Sequence, residues 1–377
     1  MIIFHAEAPN GAGPLVRALA EARRALAEGH REAFLAAGAD EAEIVAGAPD
    51  GLSFGERLTD AIRARSARAA GAVPGGGAPG GLIVLGSGSI PLARAADLRR
   101  FVEIAAGPDG HALANNRYSA DVVAISRVAD LAELPPLPAD NALPRWLEER
   151  AGVAVADLRS RWRLGVDIDT PLDLLVVGRP AARRIHATAP LVGERLAALA
   201  DVLTNRRAEL LVAGRASAAT LRWLESGVAC RVRALVEERG LRAASRLAQS
   251  GATTGSRPPR SVLGELLDRD GPESLAAIVA KLADAAVIDT RVLLAHRHGA
   301  DEAAWPAAED RFASDLLLTE YIADPWLRAL TQSAAGHPAT ARPATARPAT
   351  SPILLGGHTL VNGGLRLLAQ RARAGNR

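Results

Sequence analysis

Three residue classes are scarce in this chain of 377 residues: it has one cysteine, Cys230, one lysine, Lys281, and only 3% aromatics. A single cysteine excludes a disulfide framework within the chain and suits a reducing compartment, so a cytoplasmic location is expected. Cys230 lies in an apolar run and reads as inert packing. Any chemistry that needs a lysine has only Lys281, which sits in SLAAIVAKLADAA, where helical periodicity puts it on a solvated face. With so few aromatics, Ala, Leu, Val and Ile must fill the core. No run of about 18 apolar residues occurs, so no membrane partner is expected. The start, MIIFHAEAPNG, has an acid and an early turn in place of a basic region and a long apolar stretch, which argues against a secretory signal. The net charge is only +3, and the arginines are scattered among carboxylates. That pattern makes no nucleic-acid-binding stripe.

What is present is an ordinary globular balance, 49% hydrophobic and 23% charged, in a length that suggests two domains. Short apolar runs at 1–4, 43–45, 82–85 and 121–126 alternate with helical patterns, and 131–143 is proline-rich and irregular. A second set follows at 209–213, 230–236, 285–295 and 352–355. Strands alternating with helices predict an α/β fold with a parallel or mixed sheet in each half. The expected domains are 1–178 and 190–377. Residues 337–351, HPATARPATARPATS, repeat ARPAT, and a proline every fifth residue makes this an extended insertion.

Three stretches of the first half occur in a telling order: GLIVLGSGSIPL at 81–92, HALANNRYSADVVAIS at 111–126 and DIDTPLDL at 167–174. Together they resemble the nucleotidyltransferase (GT-A-like, Rossmann-like) fold, and DIDTPLDL is similar to the end of that domain in phospholactate and molybdopterin guanylyltransferases. The resemblance implies transfer of a nucleotidyl group from a nucleoside triphosphate to a small phosphorylated or acidic acceptor, with Mg²⁺ as cofactor. Attack on an α-phosphate needs a divalent cation to neutralise developing charge, and Mg²⁺ takes carboxylate oxygens, phosphates and waters.

The chemistry fits in part. Asp167 and Asp169 flank Ile168, so an extended backbone turns both carboxylates to one side as half of a metal site. The alternative is structural, with Thr170 and Asp173 capping a short helix after Pro171. Ser89 stands where the resemblance calls for an aspartate, and a hydroxyl is a poor sole Mg²⁺ ligand. The N-terminal turn lacks the family's lysine, leaving Arg17 as the first cation for phosphate. Asn115, Asn116 and Tyr118 precede a strand and either read a small ligand or serve turn chemistry. A catalytically degenerate protein that binds a nucleotide or metabolite therefore stands beside the enzyme.

No family resemblance is read in the second half. Its polar residues fall in or after apolar strands: Arg215 in GRAS, Glu238 in EERG, Asp289 and Arg291 in AVIDTRVLLAH, and His358 in GGH. Open α/β sheets bind ligands at the carboxyl ends of their strands, so these five residues are expected to share a cleft for an anionic metabolite, with Asp289 deep and orienting Arg291. The competing expectation is local structure, with Asp289 and Arg291 an ion pair and Ser217 an N-cap. An active site in this half is a third alternative, and the sequence leaves homo-oligomerisation open.

Overall fold

The computed structural model describes every residue except 73–79, 109, 138–139, 238–258, 337–350 and 376–377, and leaves out the side chains of 65–72, 140 and 375. Glu238 and nearly all of the ARPAT repeat lie outside the described residues. The chain divides into two compact units, Met1–Ala12 with Leu19–Ile168, and Gly13–Ala18 with Asp169–Arg377. Both are α/β. The expected division at 178–190 moves back to Ile168, and the motif DIDTPLDL is itself divided. The cause is the helix Pro171–Val177, which buries Leu172, Leu174, Leu175 and Val176. Leu172 packs on Gly356 and Val176 on Gly364, and the Val176 carbonyl accepts from Arg371 at 2.5 Å.

The first unit holds a six-stranded sheet: β1 (Ile2–Ala6), β2 (Glu43–Gly47), β3 (Leu82–Gly86), β4 (His111–Ala114), β5 (Val122–Ile125) and β6 (Ala154–Asp157), in the order β2-β1-β3-β5-β4-β6. β1 runs parallel to β2 and β3, and β5 is antiparallel to β3 and β4. LIVL therefore lies inside the sheet, as its uncharged apolar run requires. Successive side chains alternate between faces. Ile2, Val84 and Ile125 pack with Leu58 and Leu147, whereas Ile3, Leu85 and Leu113 pack with Phe34 and Phe101. The short strands β4 and β6 carry too few apolar residues to announce themselves.

The second unit has a parallel sheet of β7 (Glu209–Gly214), β8 (Arg231–Val236), β9 (Ala285–Asp289) and β10 (Ile353–Gly356), ordered β10-β9-β7-β8. β9 and β10 are buried throughout, as expected of a parallel sheet covered on both faces. β8 is an exposed edge that carries Arg231 and Arg233, charges that discourage further pairing. The apolar run 285–295 was expected to be one strand. It ends at Asp289, and Thr290–His298 is a helix. Asp289 makes the break by accepting from the Arg291 backbone at 3.2 Å as an N-cap. A short apolar run has no period that separates buried strand from buried helix. No described helix is long and apolar enough to cross a membrane.

Candidate functional sites

The chain leaves β1 in one direction to form β2 and places β3 on the other side, so the carboxyl ends of β1 and β3 form a switch point. A cleft of about 700 Å³ opens there. Its edge is built by the turn after β3. The Ser87 amide donates to the Phe4 carbonyl at 2.8 Å, and the Ser89 amide to Gly86 at 3.1 Å. Ser89 then pairs with Asp167 in an isolated antiparallel bridge, and the Ile168 amide donates to Gly88 at 3.0 Å. The Ser89 carbonyl contacts His30 Nε2 at 2.8 Å, and Arg23 Nε donates to the Ile168 carbonyl at 2.6 Å. Phe4 and Phe54, edge to face at 5.9 Å, supply an apolar wall. His5 Nδ1 lies 3.1 Å from Ser87 Oγ. Burial, then the charge of Arg24, lowers the His5 pKa, with Arg23 adding and Glu7 opposing. The imidazole is accordingly neutral near pH 7 and serves the cleft as a hydrogen-bonding group rather than a cation.

The other residues expected for this site do not line that cleft. Asp169 belongs to the second unit, where its Oδ2 lies 3.9 Å from His358 Nδ1. Asp167 lines the cleft of the first unit and Asp169 that of the second. The structural alternative for Thr170 and Asp173 holds: the two form a capping box on Pro171–Val177. Among the described residues, no group of three or more His, Cys, Asp or Glu is disposed around a metal. Asn115 is buried and fully committed. Its Nδ2 donates to Asp121 and to the Leu164 carbonyl, both at 2.7 Å, and its Oδ1 accepts from the Asp121 amide at 2.9 Å. Asn116 makes an Asx turn to the Tyr118 amide at 3.1 Å. Tyr118 is exposed, with the guanidiniums of Arg117 and Arg159 at 5.6 and 5.1 Å from its ring. Arg17 stands in Gly13–Ala18, counted with the second unit, on a helix start where the Leu15 and Val16 amides donate to Glu309 at 2.9 and 3.1 Å. A carboxylate therefore holds the place where the resemblance put a phosphate.

In the second unit the switch point lies between β7 and β9, and a 310 Å³ cleft there is lined by Arg215, Arg291 and His358, together with Asp169, Asp173 and Arg311. Asp289 lies beneath, fully buried, and accepts from Arg215 Nε at 2.6 Å and Nη2 at 3.1 Å. It therefore orients Arg215 and not, as expected, Arg291. Arg291 pairs instead with Asp315, at 2.5 and 2.7 Å, and donates to Thr290 Oγ1 at 2.9 Å. Burial alone would lower the Arg291 pKa, but Asp315, with Asp289 and Asp173, holds it above its ordinary value. Ser217 is the expected N-cap, accepting from the Thr220 amide at 3.1 Å.

Four further residues have no sequence signal of a site: Asp173, whose motif spacing is that of a capping box, and Arg311, Asp315 and Thr359, which lie in unremarked helical or loop stretches. Asp173 is 1% exposed. Its Oδ2 accepts from the Asp169 and Thr170 amides at 3.0 and 2.8 Å and from Thr170 Oγ1 at 3.0 Å, while its Oδ1 has no partner among the described residues. Burial, followed by the charge of Asp169, pushes its pKa up to about 7 against the pull of these hydrogen bonds. The folded chain then holds this proton more tightly than the unfolded chain. Its contribution to stability is full below pH 4, is lost as pH rises to about 7, and levels off there. At about 1.4 kcal/mol per pKa unit the loss amounts to a few kcal/mol. Asp173→Asn, which keeps the acceptor and cannot ionise, should flatten the decline of unfolding free energy between pH 4 and 7; an unchanged slope would assign the decline to other groups.

Comparison with known protein families, curated proteins and solved structures returns no match for this chain.

Proposed function

We propose that the first unit is a nucleotide-binding domain of the nucleotidyltransferase (GT-A-like) type that has lost part of its catalytic apparatus. The supporting observation is the 700 Å³ cleft at the ends of β1 and β3, bounded by the Gly86–Ser89 turn and closed by the Ser89–Asp167 bridge. Phe4, Val45 and Phe54 offer a wall for a base, and Arg23 and Arg57 supply cations at the cleft. The Asp50 carboxylate, 2.7 Å from Arg57, holds that arginine at the rim.

Mg²⁺ in this reading enters on the phosphates of the nucleotide, with Asp167 the carboxylate bridged to Ser89. A serine stands where the resemblance calls for an aspartate, and no transfer step is assigned to the metal. What the residues of this cleft do is bind and orient. His5 and Ser87 present hydrogen-bonding groups at the strand ends, and the glycines let phosphate approach the backbone.

Calorimetric titration of the full chain with each nucleoside triphosphate, with and without Mg²⁺, tests this. One nucleotide should saturate, and Arg23→Gln should weaken it about tenfold, the loss of one charge-assisted contact. Chelating the metal should matter less than that substitution. Failure of every nucleotide to bind refutes the reading, and turnover of nucleotide with an acidic acceptor would restore the full transferase.

A further inference from the structure

The second-unit cleft has an unusual concentration of unmet hydrogen-bonding capacity. Asp173 Oδ1, Thr359 Oγ1 and Arg311 Nε are all buried without a partner among the described residues, and all three residues line it. Folded proteins leave few such groups, and each calls for an explanation. In Asp173 the imbalance lies within one side chain, because Oδ2 accepts three hydrogen bonds and Oδ1 none. A proton on Oδ1 converts that oxygen into a donor that needs an acceptor.

The charges point the same way. Arg215 is matched by Asp289 and Arg291 by Asp315, each pair with a fully buried carboxylate. Arg311 is mostly buried, and its carboxylate partner Glu302 is 3.5 Å away and about half exposed. Burial lowers the Arg311 pKa, and the nearby Arg291 lowers it further. With the partly exposed Asp169 and Glu302 left at the rim, the buried groups Arg215, Arg291, Arg311, Asp289 and Asp315 carry one surplus positive charge when Asp173 is neutral and none when it is ionised. Space above Gly357 is open, since an added Cβ would meet nothing within 4 Å.

We propose that this cleft is a second ligand site, which takes a small organic anion ending in a carboxylate or phosphate together with one proton on Asp173. Arg311 and the remaining Nη1 of Arg215 face the anionic group, and Asp173 Oδ1–H and the Thr359 hydroxyl donate to it. The proton comes from solvent, and no covalent bond changes. This goes beyond nucleotide binding by the first unit and does not depend on it. The groups that surround Asp173 are Asp169, Arg291 with Asp315, Arg215 with Asp289, Arg311 with Glu302, and His358 at the rim. Of the lining carboxyls Asp173 is pushed up to about 7, so occupancy is coupled to pH in the neutral range.

The test is calorimetric titration of the full chain with acetate and, separately, sulfate, neither of which changes protonation between pH 6 and 8. Two buffers of different ionisation heat count protons taken up. Saturation by acetate identifies a carboxylate ligand, and saturation by sulfate a phosphate-like one. The expected result is proton uptake that is small at pH 6, about one half at pH 7 and close to one at pH 8, with affinity that weakens toward a limit of about tenfold per pH unit above pH 7. Asp173→Asn should bind with no pH dependence, Arg311→Gln should bind at least tenfold more weakly at both pH values, and His358→Gln should keep the slope. Saturation by neither anion, binding in wild type at pH 8 without proton uptake, or a slope that disappears with His358→Gln overturns the proposal.

Discussion

Asp315→Ala is expected to lower the unfolding free energy by about 3–5 kcal/mol, the cost of leaving a buried charge without its partner. Arg291 is 7% exposed and Asp315 is fully buried, and two parallel hydrogen bonds of 2.5 and 2.7 Å join them. Without Asp315 the guanidinium keeps Thr290 Oγ1 as a close partner, at 2.9 Å. Spread over a unit of this size, the loss corresponds to a fall of roughly 10 °C in melting temperature. Replacing both residues with apolar side chains of similar volume should recover most of it, because the net value of a buried pair is small even though breaking it is costly. The exposed pair Arg24–Glu28, 3.4 Å apart along one helix, is worth about 0.5 kcal/mol or less by contrast. Thermal and denaturant unfolding of the single and double variants checks this. A single-variant loss below 1 kcal/mol would show that the pair is open to water.

Gly88→Ala is expected to abolish nucleotide binding in the first unit while costing about 1–3 kcal/mol of stability, the usual range for a forced overlap. An added Cβ would lie 2.8 Å from the Ile168 carbonyl, 3.0 Å from Asp167 Oδ1 and 3.1 Å from Arg23 Nε. Two of these neighbours are groups the proposed site uses, and the first is backbone, which cannot rotate away. Relief requires the Gly88–Ser89 turn and the Asp167 segment to separate, which breaks their bridge. Gly47, also on the cleft, is the control, because a Cβ there meets nothing within 4 Å. Gly47→Ala should fold and bind nearly as the parent does. Equal loss in both variants would detach the effect from the Gly88 contact.

The elements legible in the sequence are those with a strong apolar period or run. LIVL at 82–85, ELLVA at 209–213 and PILL at 352–355 all form strands, because their burial on two faces leaves an uninterrupted apolar signature. The caps were legible too, Ser217 and Thr170 with Asp173, since capping depends on local spacing alone. Pairings across long separations were not. Asp289 and Arg291 are two residues apart, and spacing suggested that they meet. The helix that starts at Thr290 instead carries the Arg291 side chain to Asp315, 24 residues on, and the Asp289 carboxylate takes Arg215, 74 residues back. The same holds for DIDTPLDL. Its first two carboxylates, Asp167 and Asp169, look like a pair in an extended segment, yet the Asp169 amide turns toward Asp173 at 3.0 Å to begin the cap, and the motif serves two units. Arg311 and Thr359 carry no pattern that distinguishes them from surface polar residues, and only the fold brings them to Asp173.

Hydrogen–deuterium exchange of the full chain, with and without saturating nucleoside triphosphate, is the most direct test of nucleotide binding at the β1–β3 switch point. Protection should appear in the Gly86–Ser89 turn and at Val45, Ala46, Gly47, Asp50 and Leu52, which line the same cleft, and should be absent in Gly88→Ala. Protection confined to residues 356–359 of the second unit, or no protection with any nucleotide, would contradict it.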